Sequence, residues 1–126
     1  MDQRLNYIKA SPGAFKAMFA LEMHLKGKFD ASIMHLLKLR ASQINGCAYC
    51  IDMHWKDARA AGETEQRLYS LNAWRESPFY TDKERAALAW TEAVTKISEA
   101  HAPDEEFAAV RAVFSDQELA DLTWAI

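Results

Sequence analysis

Four glycines and three prolines are the only backbone breakers in this 126-residue chain, and each falls where a helix should start or stop. Ser11-Pro12 sets an N-cap before a proline at the first helical position. It opens a helix through about Lys26, with Phe15, Met18, Phe19 and Leu25 expected to face inward. Asp30 caps a second helix, Ala31 to about Ile44, in which Ile33, Leu36, Leu37 and Ile44 keep a helical spacing. Asn45-Gly46 supplies the positive-φ stop, and a third helix is expected from Cys47 to Gly62. A short helix from Thr64 to about Ala73 leads into the loop Glu76-Ser77-Pro78. Thr81 and Glu84 form a capping box that opens the longest helix, to about Ala100. Pro103-Asp104-Glu105 starts another, and Ser115 with Glu118 repeats the capping-box pattern before a last helix. No run of alternating β-branched residues suggests a strand. The fold class is therefore all-α, with about six to seven helices and the cysteines at a helix N-terminus.

A chain of this length, half of it apolar, makes one domain over residues 1–126 with a hydrophobic core. No apolar run approaches the roughly 18 residues of a membrane span. The start, Met1-Asp2-Gln3-Arg4, lacks a secretory pattern, so the expected compartment is the cytosol. A net charge of −3 leaves no basic footprint for nucleic acid. The last helix stays apolar to its end (Leu119, Leu122, Trp124, Ile126), which reads as a truncated chain or an end buried against another subunit.

Both cysteines lie in Cys47-Ala48-Tyr49-Cys50-Ile51-Asp52-Met53-His54, a C-x-x-C-x-x-x-H cluster. On a helix these three residues share one face, with the imidazole one turn beyond the second sulfur. The helix N-terminus favours a thiolate at Cys47, whereas His54 stands as proton acceptor for Cys50, so the nucleophile is left undecided by these residues alone. Once one sulfur becomes a sulfenic acid, the other is close enough to form a disulfide and release water.

Redox chemistry has competitors for these three residues. Free cysteines are common small core residues, and the three could simply pack. Zinc would need a fourth ligand from His24, His35 or His101, among which no paired spacing exists. A thioredoxin fold places its C-x-x-C after a strand, and here a helix precedes it. Haem attachment needs histidine directly after the second cysteine, where Ile51 stands.

The segment from Leu39 to His54 closely resembles the core of the AhpD-like alkylhydroperoxidases, within the carboxymuconolactone decarboxylase superfamily. The resemblance continues through Leu71 to Phe79 and Glu84 to Glu92 and fades over roughly the first 30 residues. It implies an all-helical fold assembling into trimers or hexamers. It also implies a cysteine-based activity that reduces hydroperoxides or protein disulfides, with an external dithiol or thiol protein as reductant. Members with decarboxylase activity lack this cysteine pair. By position, the resemblance makes Cys50 the peroxide-attacking residue, Cys47 the proton donor and resolving thiol, and His54 part of a proton relay. Members with a full relay carry a glutamate twelve residues before the first cysteine. Here His35 stands there, and a neutral imidazole can pass a proton through water but cannot orient His54 as a carboxylate does. Founding members also have histidine where this chain has Tyr49, and members usually continue through more of the last helix.

The expected function is therefore a cytosolic alkylhydroperoxidase or thiol-disulfide oxidoreductase using Cys50, Cys47, His54 and His35, with no metal or organic cofactor. His35 in place of the glutamate motivates a second reading, a helical oligomeric redox-responsive binding protein with little turnover; zinc binding is the third. Among the remaining residues, Tyr49 is expected to pack or gate and Trp55 to shape access to the site. Trp74, Trp90 and Trp124 are read as core or interface, Met18, Met23, Met34 and Met53 as core filling, and His24 and His101 as surface residues.

Overall fold

The computed structural model describes residues 4–126, so most of the N-terminal stretch read for a leader, Met1 to Gln3, lies outside that range. Among the described residues there are nine α-helices, one 3-10 turn (Leu71–Ala73) and no strand. The helices are α1 (Tyr7–Ala10), α2 (Pro12–Leu25), α3 (Ala31–Ile44), α4 (Ala48–Ala60), α5 (Glu65–Tyr69), α6 (Asp82–Thr95), α7 (Ile97–Ala100), α8 (Asp104–Arg111) and α9 (Asp116–Ala125). Side-chain caps start most of them. Asp30 accepts from the Ser32 N–H at 2.8 Å, and both capping boxes, Thr81 with Glu84 and Ser115 with Glu118, are complete.

The count exceeds the expected six or seven for two reasons. Asn6 caps an additional single turn, α1. The helix expected to reach Ala100 ends at Thr95, because its apolar face runs out: Ala87, Leu88, Trp90, Thr91 and Ala93 are buried, whereas residues 96–99 are exposed. The turn that follows, α7, is separate and exposed, so the break at Lys96 lies where the buried face ends. Lys96 leaves the helical conformation at ψ 38°, and His101 and Ala102 take positive φ before Pro103.

Helices α3 and α6 lie side by side at the centre and split the core in two. Ile33 and Leu37 of α3 join Trp90 and Ala93 of α6 with Val110 of α8, Leu119 and Leu122 of α9, and Phe114 from the turn between them. On the other side Leu36 and Leu39 meet Ala58 of α4, Leu68, Leu71, Trp74 and Leu88. Two polar braces tie this frame together. Arg67 donates to Glu84 at 2.5 Å and to Glu63 at 2.8 Å, with the Ser32 hydroxyl donating to both carboxylates. Glu92 accepts from Arg40, the Trp74 indole and Arg75, each at 2.8–2.9 Å.

The first long helix departs most from its reading. Met18 and Phe19 were expected inside and are 66 % and 55 % exposed, as Met23 is at 51 %; only Leu25 is buried. They belong to an outward apolar stripe in which Phe15 stacks on Phe19 and Tyr7 tilts against Phe15. Trp74 and Trp90 are core residues as expected, and Trp124 is 68 % exposed, outside the core. Among the described residues no helix is long and apolar enough to cross a membrane.

Candidate active site

The site is built on the hairpin of α3 and α4. Asn45 and Gly46 close α3, with Gly46 at φ 63°, and the Cys47 N–H then donates back to the Ser42 carbonyl at 3.1 Å. Cys47 is thereby placed as the N-cap of α4 rather than inside it. Its sulfur takes the role that serine or aspartate usually fills, accepting the Cys50 N–H at 3.3 Å. The two sulfurs are joined in a disulfide with Cα atoms 5.3 Å apart. Both cysteines are half-buried.

The disulfide opens onto a cleft of about 200 Å³ lined by Lys38, Ser42, His54 and, from the end of α9, Ala125 and Ile126. Beside it lies a larger cleft of about 500 Å³ between α2, α3 and α4, where Glu22, Met23, Phe29, His35 and Asp57 face one another. Lys38 and His54 line both clefts. The hairpin places Cys47, Cys50 and His54 on one cleft, while His35 reaches only the neighbouring one. Burial lowers the His54 pKa from its ordinary value and the nearby Lys38 ammonium lowers it further, outweighing Asp57 and Glu22. The imidazole is thus held in its neutral, proton-accepting form. The Ser42 hydroxyl donates to the Lys38 carbonyl at 2.7 Å and is occupied by that bond.

Two expectations about the surroundings need correction. Tyr49 does not pack: it is 76 % exposed, because the position after Ala48 on the first turn of α4 faces away from α3. Trp55 lines neither cleft; it lies against the core cluster of Leu36, Leu68 and Trp74. His24 and His101 are on the surface as read. Among the described residues no three His, Cys, Asp or Glu side chains are grouped to hold a metal ion.

Sequence reasoning missed Lys38 and Glu22, which form a hydrogen-bonded ion pair at the edge of the site. A signal for Lys38 did exist. An antiparallel hairpin mirrors positions about its turn, and reflection about Gly46 sets Ser42 against Cys50, Lys38 against His54 and His35 against Asp57. Glu22 comes from α2, and no spacing within the motif points to it.

The description carboxymuconolactone decarboxylase family matches residues 12–93. Over its whole length the chain is 42 % identical to the uncharacterized protein YdfG of Bacillus subtilis, covering 86 % of that protein. It is 29 % identical over 99 residues to the uncharacterized protein YnjA of Escherichia coli, covering 78 % of this chain and 53 % of that one. Among solved structures it superposes, with a TM-score of 0.92 and 52 % identity, on a protein of unknown function from Agrobacterium tumefaciens proposed to be the antioxidant defence protein AhpD. That alignment covers 98 % of this chain and 86 % of the other. With its C-x-x-C hairpin and its all-helical architecture, the chain belongs to the carboxymuconolactone decarboxylase family and has the AhpD-like fold.

Proposed function

We propose that this single-domain chain is a cytosolic, cysteine-dependent hydroperoxide reductase working through Cys47 and Cys50. The observation that carries the reading is the Cys47–Cys50 disulfide at the start of α4 with neutral His54 on the same cleft. In the reduced protein Cys50 gives its proton to His54, and the thiolate attacks the terminal oxygen of the hydroperoxide. An S–O bond forms, the O–O bond breaks, and the alkoxide leaves as the alcohol on taking the proton back from His54. Cys47 then attacks the Cys50 sulfenic acid, forming the S–S bond and releasing water. An external dithiol reduces the disulfide by attacking the Cys50 sulfur and is itself oxidised. Cys47 departs as a thiolate, and the Cys50 N–H that its sulfur accepts, together with the helix N-terminus, favours that charge.

Cys50→Ser should abolish peroxide-dependent thiol oxidation with cumene hydroperoxide, and Cys47→Ser should trap a sulfenic acid at Cys50. Full turnover by Cys50→Ser would overturn the assigned roles. His35, where the family relay has a glutamate, favours a second reading in which the pair responds to redox state with little turnover. Reversible disulfide formation with only background peroxide consumption is its signature. We further propose a homo-oligomer, trimer or hexamer, supported by the outward apolar stripe of Phe15, Met18, Phe19 and Met23.

A further inference from the structure

The two clefts meet at Lys38 and His54. Lys38 is costly to place there: its side chain is only 16 % exposed, and an ammonium taken from water needs a partner. Among the described residues its one hydrogen-bonded partner is the Glu22 carboxylate, which reaches over from α2 and is itself 56 % exposed. The other charged or titratable groups facing this junction are Lys26 just after α2, His35 on α3, and His54 and Asp57 on α4; the end of α9 adds only the apolar Ala125 and Ile126 side chains. The cleft holding His35 therefore contains two carboxylates, Glu22 from α2 and Asp57 from α4, both supplied by helices other than its own.

We propose that Lys38, tethered by Glu22, is a positioning cation of the dithiol, its ammonium stabilising the thiolate of the reduced pair across the cleft they share. The inference rests on the dithiol reading given above and adds a residue to it. When a Cys50 thiol passes its proton to His54, a negative sulfur is left facing an ammonium that is already fixed in place. No reorganisation is then needed at the moment the charge appears. The same ammonium lowers the His54 pKa, which keeps the imidazole neutral beforehand but weakens it as a base, so the gain from Lys38 lies at the sulfur. Glu22 sets how much of the Lys38 charge the sulfur feels, since its own charge opposes that of the lysine. The two members of the ion pair thus act on the thiol with opposite sign, which a purely structural salt bridge would not do.

The test titrates the reduced full-length protein by its ultraviolet thiolate absorbance, beside Lys38→Met, Lys38→Arg and Glu22→Gln. Lys38→Met should raise the thiolate midpoint by about half to one pH unit, leaving roughly three- to tenfold less thiolate at a fixed pH below it. Glu22→Gln should lower the midpoint, and Lys38→Arg should keep it near the parent value. Midpoints that do not move, or that move in the same direction in Lys38→Met and Glu22→Gln, overturn the proposal. Should Lys38→Met fail to fold, Glu22→Gln decides alone, and a midpoint that does not fall is a refutation. No hydroperoxide enters this measurement. A protein that shows the opposed shifts but consumes no hydroperoxide would retain the Lys38 role and refute the peroxidase reading instead.

Discussion

Replacing Arg67 by methionine keeps the aliphatic stem of the side chain and removes the one cation between two carboxylates. In the parent, the Arg67 guanidinium donates to Glu84 at 2.5 Å and to Glu63 at 2.8 Å, and also to the Phe79 carbonyl. Glu84 retains 7 % exposure, so the variant leaves two neighbouring negative charges sharing the Ser32 hydroxyl and little water. Breaking a fully buried ion pair costs about 3–5 kcal/mol. Arg67 is still 19 % exposed and the methionine repacks, so the expected loss is about 2–3 kcal/mol. For a chain of 126 residues that corresponds to a fall in Tm of about 10 °C. The pH dependence is the sharper check. Burial alone would raise both carboxyl groups, yet hydrogen bonds from Thr64 and Arg67 to Glu63, and from Arg67 and Thr81 to Glu84, hold both below the usual glutamate range. A depressed carboxyl stabilises the fold above its unfolded pKa and loses that contribution as pH falls through the folded value. In Arg67→Met both carboxyls move up, and protonation relieves the repulsion. The stability gap measured by urea denaturation should therefore narrow between pH 7 and about pH 4. A gap under about 1 kcal/mol at pH 7, or one that is constant with pH, would refute this account of the brace.

Two more predictions concern the site and its surroundings. The folded-state His54 pKa is lowered, so the unfolded chain takes up the proton first on acidification; parent stability should fall below about pH 6.5, and His54→Gln should lack that part of the loss in denaturation profiles at matched pH. Equal pH profiles for the two proteins would show that His54 is not held neutral by its surroundings. Phe19→Asp, which puts a charge in the middle of the outward stripe without touching the core, should shift the sedimentation coefficient toward the monomer while helical content is kept. An unchanged coefficient would remove that stripe from the proposed subunit contact.

The helices were legible because their ends are chemically marked: Thr81 with Glu84, Ser115 with Glu118, Asp30, and Gly46 all act locally. Burial is a property of what lies opposite, which is where the reading of α2 failed. Phe15, Met18 and Phe19 have the spacing of a core face, yet among the described residues Met18 and Phe19 stay largely exposed. The same distinction runs through the site. Cys47, Cys50 and His54 could be grouped from their spacing on one helix, and Lys38 lay within reach of a hairpin reflection. Glu22 enters from α2, which packs against α9 and borders α3 across the larger cleft, and a local reading has no access to that. The break after Thr95 was hidden for a similar reason, since residues 97–100 do form a helical turn and only Lys96, where the buried face ends, separates it from α6.

The Asn45-Gly46 turn has a further consequence for how such a site can change over time. Because the facing residues are mirror-related about Gly46, the constellation is encoded as a length rather than as a set of contacts each chosen separately. Inserting or deleting one residue within α3 between Lys38 and Ile44 would rotate Lys38 by about 100° about the helix axis and shift it by about 1.5 Å against α4. Cys50 and His54 would swing away from Lys38 although every residue of the motif remained present. A substitution at one position leaves the phase of the hairpin intact, whereas a frame change of a single residue would dismantle the site at once. The hairpin is thus permissive in composition and rigid in phase.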